Sequence, residues 1–158
     1  KSSVKLGLFY NDELVSVMTF GKRQISRKNV LEMIRYCTKL NTQIIGGAGK
    51  LFKHFLRNYW DKKTEIYSYA DRRWSKGDLY YKLGFKLSHI SAPNYWYISE
   101  SFDKIYHRVN FQKHKLKDKL ETFNPEKTEW GNMMENGYDR IWDSGNYVFI
   151  YKSSQENH

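Results

Sequence analysis

The sequence predicts an α+β fold, a mixed and mostly antiparallel sheet with flanking helices. Three observations predict it. VKLGLFY and LVSVMTF are β-rich runs separated by the turn-forming tripeptide Asn11-Asp12-Glu13. The Gly-rich corner QIIGGAGKLFKHF runs directly into a helix with one apolar stripe. TEIYSYA, a second β-prone run, is again followed by a short helical pattern. At 158 residues the chain is long enough to bury roughly two-thirds of its unfolded surface without a disulfide or metal staple.

The first two runs form a hairpin, and the polar, basic GKRQISRKN that follows reads as a loop. In VLEMIRYCTKL the alternation of Leu31, Met33 and Arg35 leaves strand and helix both open. Leu51, Phe52, Phe55 and Leu56 recur at helical spacing, with Lys50, Lys53, His54 and Arg57 on the remaining surface, which predicts a helix from about Gly49 to Tyr59. After the strand TEIYSYA, Ser75 offers an N-cap for a helix ending at Leu83, and Gly84 suits the left-handed position beyond it. KLSHISAPNYWYIS reads as a hairpin around Ala92-Pro93-Asn94. KIYHRVNFQKHKLKDKL has Ile105, Val109 and Leu116 at helical spacing in a basic background. Asn124-Pro125 breaks the chain, Thr128 caps a helix through about Asn136, and Gly137 ends it. YDRIWDSGNYVFIYK reads as a strand pair around residues 143–146, followed by a disordered tail from about 153. The expected organisation is a core over residues 1–100 and a basic helical and strand extension over 101–158, packed on that core.

A net charge of +10 with 17% aromatic residues suits a polyanion, because cations release counterions from phosphates and rings stack on bases. The same charge also serves solubility in many small proteins. The single cysteine, Cys37, cannot form an intrachain bridge and lies in an apolar run, which points to a reducing, cytoplasmic compartment. No run approaches the roughly 18 apolar residues of a membrane span, so no membrane partner is expected. One cysteine leaves no zinc–thiolate site. His107-x-x-Asn110-x-x-x-His114 lacks the ββα frame of a His-Asn-His nuclease, so no metal site is assigned.

Two motifs carry a resemblance. Gln43-Ile44-Ile45-Gly46-Gly47-Ala48 fits [R/Q]-x-x-G-x-[G/A], and Leu79-Tyr80-Tyr81-Lys82-Leu83-Gly84-Phe85 is similar to L-Y-E-K-L-G-F. In this β/α order, over roughly residues 4–100, the chain resembles the GNAT superfamily of acyl-CoA-dependent N-acyltransferases. The match begins at the family's second strand, so the expected fold lacks the family's first strand and the two helices after it.

The resemblance implies a cofactor pyrophosphate held by backbone N–H groups of Ile45, Gly46, Gly47, Ala48, Gly49 and Lys50 at a helix N-terminus. The other reading of these glycines is a sharp turn and nothing more. By its match to the second motif Tyr80 would protonate the leaving thiolate; otherwise it is a core aromatic with a satisfied hydroxyl. Glu32 and Asp71, on strands expected to flank the site, are the candidate bases. Arg73 and Lys76 stand where the family commonly has asparagine and alanine, which adds positive charge beside the cleft.

LGLFYNDELVSVMTFGK, YADRRWSKGDLYYKLGFK and GYDRIWDSGN are also similar to a domain of phage-encoded proteins, often joined there to a very-short-patch-repair-type or homing nuclease. That implies DNA as partner and a nuclease domain upstream. The candidate nucleic-acid contacts are Arg72, Arg73, Trp74 and Lys76, which interleave cations with an indole, and the basic run with Arg108, Lys113, Lys115 and Lys117. Carboxylate pairing of the arginines, a core Trp74 and a solvated helix face are the alternatives. The expected function is acyl transfer from acyl-CoA to an amine on or near nucleic acid. The rivals are a non-catalytic DNA-binding module of a phage nuclease and an interaction domain whose charge serves solubility.

Overall fold

The computed structural model describes residues 2–23 and 30–153, and the chain divides into two compact units, Lys1–Ser91 with Asn146–His158, and Ala92–Gly145. In the first unit, strands β1 (Val4–Tyr10), β2 (Glu13–Lys22) and β3 (Leu31–Thr38) form an antiparallel meander. Asn11 and Asp12 both take positive φ at the first turn, the conformation such a tight hairpin demands. Helix α1 (Gly47–Asn58) follows, then β4 (Ile66–Asp71), α2 (Asp78–Lys82), β5 (Lys86–Ile90) and the last strand of the chain, β9 (Asn146–Tyr151). The sheet order is β1-β2-β3-β4-β9-β5, and β3/β4 is its parallel pair.

Ala48, Leu51, Phe52 and Phe55 form the apolar stripe of α1 and pack on Met18, Phe20, Met33, Ile66 and Phe149 from the sheet. Full burial of each large side chain stabilises by about 1.5–3 kcal/mol. VLEMIRYCTKL resolves as strand because β2 offers β3 a partner from Leu31 to Thr38. The predicted helix at 49–59 and the TEIYSYA strand are observed.

Four expectations change. Ser75 does not cap α2; its Oγ accepts from Gly77 N at 3.0 Å, and Gly77 itself precedes the helix at φ +84. A Cβ there would sit 2.3 Å from the Phe149 ring, so the close approach as well as the φ requires glycine. KLSHI and YWYIS are not a hairpin: β5 pairs with β9, whereas YWYIS is the central strand of the second unit. The expected strand pair around 143–146 divides in the same way, since its two strands belong to different sheets. The chain leaves the first unit after Ser91 and returns at Asn146, where Ser91 N donates to Asn146 O and Asn146 N to Ser91 Oγ, both at 2.9 Å. Residues 92–145 are therefore an insertion between neighbouring strands.

The inserted unit has its own sheet, β7-β6-β8, from β6 (Tyr95–Ser99), β7 (Ile105–His107) and β8 (Tyr138–Trp142). The single helix expected over the KIYHRVNFQKHKLKDKL run is the fourth correction. That run breaks into β7, a 3-10 turn (Arg108–Phe111) and the short α3 (Lys113–Leu116), with Gln112 extended between them. Phe111 and Leu116 are buried in this arrangement, and that burial outweighs helical continuity. Helix α4 (Glu129–Glu135) keeps its predicted cap, Thr128 Oγ1 accepting from Gly131 N at 3.0 Å, and Gly137 takes φ +74 after it. Tyr97, Phe111, Leu116 and Met133 make this unit's core. Above Tyr97, the Arg140 guanidinium lies 4.3 Å from the Tyr95 ring and 4.5 Å from Trp130.

Of the polar GKRQISRKN segment, Gly21 and Lys22 belong to β2, and residues 24–29 lie outside the described residues, as does the expected tail at 154–158. No described helix is long and apolar enough to cross a membrane.

Candidate functional site

Strands β3 and β4 pair only at Leu31–Ile66 and Glu32–Tyr67, after which they diverge. The cause lies in β3. Phe20 pairs with Met33 and Thr19 with Arg35, so Ile34 is an extra, bulged residue at the point of divergence. A bulge bends its strand and leaves backbone groups out of the ladder. Met33 and Tyr36 both pack toward the core in consequence, an interval that a regular strand does not allow. Ser68 Oγ bridges the start of the opening, donating to Met33 O at 2.8 Å. The result is a slot between two parallel strands, closed at the Leu31/Ile66 end and open toward Thr38.

Helix α1 begins beyond the open end. Gly46 adopts φ +72, with no side-chain cap and no acid in the first turn. Lys50 N donates to Gly46 O at 3.0 Å and Gly47 N to Ile44 O at 3.2 Å, while the amides of Ala48 and Gly49 have no acceptor among the described residues. Beyond the adjoining residues and the helix's own backbone, no atom lies within 4 Å of where a Cβ at Gly46 or Gly49 would be, so both positions face open space. Ile45 is 91% exposed and Ala48 is buried. Free donors, a positive dipole end and room for close approach are the requirements of a phosphate-type ligand, and these residues fit them.

Tyr80, on α2, reaches the slot from the core face. Leu31 N donates to Glu65 O at 3.0 Å, so Glu65 turns its carbonyl toward β3. Carbonyls alternate along a strand, so that of Tyr69 turns the same way, but there β3 has already departed. Tyr80 Oη donates to Tyr69 O at 2.9 Å in its place. The Tyr80 ring stacks on Phe149 at 4.8 Å and meets Phe85 edge-on at 5.7 Å.

The opposite face of the sheet holds a polar cluster. Glu32 lies there, beside Tyr67 in register, and burial pushes its carboxyl above the usual range against the pull of the Arg23 charge. The Arg23 guanidinium sits 4.0 Å above the Tyr67 ring, and its Nε donates to Tyr69 Oη at 2.6 Å. Tyr67 Oη donates to Glu65 Oε2 at 3.0 Å. Sequence reasoning found Glu32 and missed Arg23, Tyr67 and Tyr69. The i, i+2 tyrosines of IYSYAD were the available signal, since that spacing puts both phenols on one strand face.

Asp71 does not join the cluster. Its carboxylate is engaged by Arg73, whose backbone N donates at 2.9 Å and Nη2 at 2.6 Å, and this hydrogen bonding holds it below the ordinary range. It anchors the turn after β4, with Trp74 N and Ser75 N donating to its carbonyl. Trp74 is 83% exposed and not a core residue, Arg72 lies 5.6 Å from the Tyr147 ring, and Lys76 is exposed. In the other unit Arg108 lies 5.3 Å from the Tyr95 ring, Lys115 Nζ donates to Val109 O at 2.9 Å, and Lys113 and Lys117 are exposed. That unit is not basic as a whole: residues 92–145 hold eight Lys and Arg against nine Asp and Glu. The first unit holds nineteen against eight, so the net +10 resides there.

Because folding raises the Glu32 pKa, its contribution to stability is fully present below about pH 4.5 and is lost as the pH rises through the raised value. Glu32→Gln is therefore expected to flatten the pH dependence of unfolding just above pH 4.5 and to leave neutral-pH stability equal or higher. Urea unfolding across that range checks it; an unchanged profile would show that Glu32 is not desolvated.

No family model matches this chain, and no curated protein sequence matches it.

Proposed function

We propose that the chain is a GNAT-like, acyl-CoA-dependent N-acyltransferase domain that acts on or near nucleic acid. The observation that carries this reading is the slot between β3 and β4, with the Gly46–Lys50 helix N-terminus at its open end. The amides of Ala48 and Gly49 would hold the pyrophosphate, and Lys50 adds a neighbouring cation. Acyl-CoA, when bound, supplies a thioester carbon for attack by an amine. Tyr80 holds a proton at the slot's edge, at the position from which a leaving thiolate can be protonated. Glu32, on the face away from Tyr80, is the base: a carboxylate desolvated by its surroundings takes a proton more readily than a solvated one. Arg23 and Tyr69 brace that face by their mutual hydrogen bond.

A second reading is favoured by the charge partition and by the exposed Trp74: a nucleic-acid-binding module that keeps the fold without catalysis. Calorimetric titration with acetyl-CoA separates the two. Binding heat is expected in the unaltered chain and is expected to vanish in Gly49→Glu. That substitution sets a carboxylate in the open space before the helix amides, where it favours the helix dipole but repels a pyrophosphate. Absence of heat at high protein concentration, with salt-sensitive DNA binding retained, would leave only the binding module.

A further inference from the structure

We propose that the first unit binds the phosphodiester backbone of nucleic acid in a basic groove at the closed end of the sheet, remote from the slot. Two surface hollows meet there. One, of about 740 Å³, is lined by Leu83, Lys86, Ile150, Tyr151 and Lys152 among others. The second, of about 460 Å³, is lined by Leu56, Arg57, Trp60, Lys62, Tyr151 and Ser153. They share Tyr151 and Ser153 and so form one continuous depression.

Its charge is one-sided. Arg57, Lys62, Lys86 and Lys152 line it, and among the described residues no Asp or Glu does. Lys152 pairs with Glu65, whereas Arg57, Lys62 and Lys86 are exposed and make no ion pair with any described residue. Of the two acids in the adjoining turn, Asp61 is occupied by the backbone N–H groups of Lys63 and Thr64 and by the Thr64 hydroxyl, and Glu65 pairs with Lys152. The floor is apolar and aromatic, with Trp60 and Tyr151 in edge contact at 5.4 Å. Cations held apart from any internal partner, in the unit that carries the whole net charge, fit an extended polyanion whose binding releases counterions.

The topology separates this groove from the slot. Ile66 pairs with Tyr151, and Lys86 pairs with Ile150, so these residues gather at the end where β3 and β4 remain joined. Arg57 is in the last turn of α1 and the glycine corner precedes its first, about 16 Å away along the helix. Nucleic-acid contact is shared with the reading above; acyl transfer is not needed for it.

The test is fluorescence anisotropy of the full chain with a short random-sequence DNA duplex across a salt series. The combined substitution Arg57→Ala, Lys62→Ala and Lys86→Ala is expected to weaken binding at least tenfold and to reduce the slope of log K against log salt by about two to three. All three side chains are exposed, and an unchanged melting curve verifies the fold. Lys113→Ala with Lys117→Ala, in the inserted unit, is expected to change neither quantity, and acetyl-CoA titration of the groove variant is expected to match the unaltered chain. An unchanged salt slope in the groove variant overturns the proposal, as does an equal loss from the inserted-unit variant. Loss of acetyl-CoA binding in the groove variant also overturns it, because the cations would then serve the cofactor. Equal binding of polyglutamate, lost in the same variant, would assign the groove to an acidic protein instead.

Discussion

Phe55→Ala is expected to lower the unfolding free energy by about 3–5 kcal/mol, a large part of the 5–15 kcal/mol typical of a domain. Phe55 is 1% exposed and lies face to face with Phe20, ring centroids 3.5 Å apart and planes within 7°. Its removal deletes the contact that fastens α1 to β2, and the neighbouring Phe52 and Met33 are themselves too tightly held to collapse into the space. The expected result is a shift of the urea midpoint of the first unit without a change in slope. Tyr59→Ala, one turn further along with 53% of the residue exposed, is expected to cost under about 1 kcal/mol. Equal losses from the two variants would mean that the helix is not held through this stripe. The functional consequence follows from position, since the same helix presents the glycine corner at its other end.

On the proposed function, Tyr80→Phe is expected to reduce the turnover of acyl transfer by about 10²- to 10⁴-fold, the range for loss of a general acid, with acetyl-CoA affinity unchanged. The ring contacts with Phe149 and Phe85 survive the change, and only the hydrogen bond to Tyr69 O is lost. That bond accounts for about 1 kcal/mol of stability. Steady-state kinetics beside thermal unfolding therefore discriminates the two roles of the hydroxyl. Unchanged turnover with a small loss of stability would make Tyr80 a core aromatic whose hydroxyl satisfies a strand carbonyl.

Local chemistry in the sequence determined the first hairpin, α1, β4 and the Thr128-capped α4, because periodicity, turn residues and caps act within a few residues of one another. It also determined the glycine corner, whereas Glu32 and Tyr80 entered as candidates through the resemblance. Only the tertiary structure decided which strands pair. KLSHI and YWYIS have the local pattern of a hairpin with each other, yet KLSHI pairs with β9 about 60 residues away and YWYIS lies between β7, the next strand, and β8 about 40 residues away; long-range pairing energy leaves no local mark. The same holds for the bulge at Ile34, which depends on register with β2, and hence for the slot that it opens. Arg23 reaches Tyr67 and Tyr69 only because three strands bring residues more than 40 positions apart onto one face. The basic run after residue 104 shows the limit most plainly. Its local charge is real, but the fold encloses it in a unit whose acids balance it, and the positive field belongs to the other unit. Charge is additive over space and not over sequence, so which unit carries the positive charge was settled by which segments the sheets brought together.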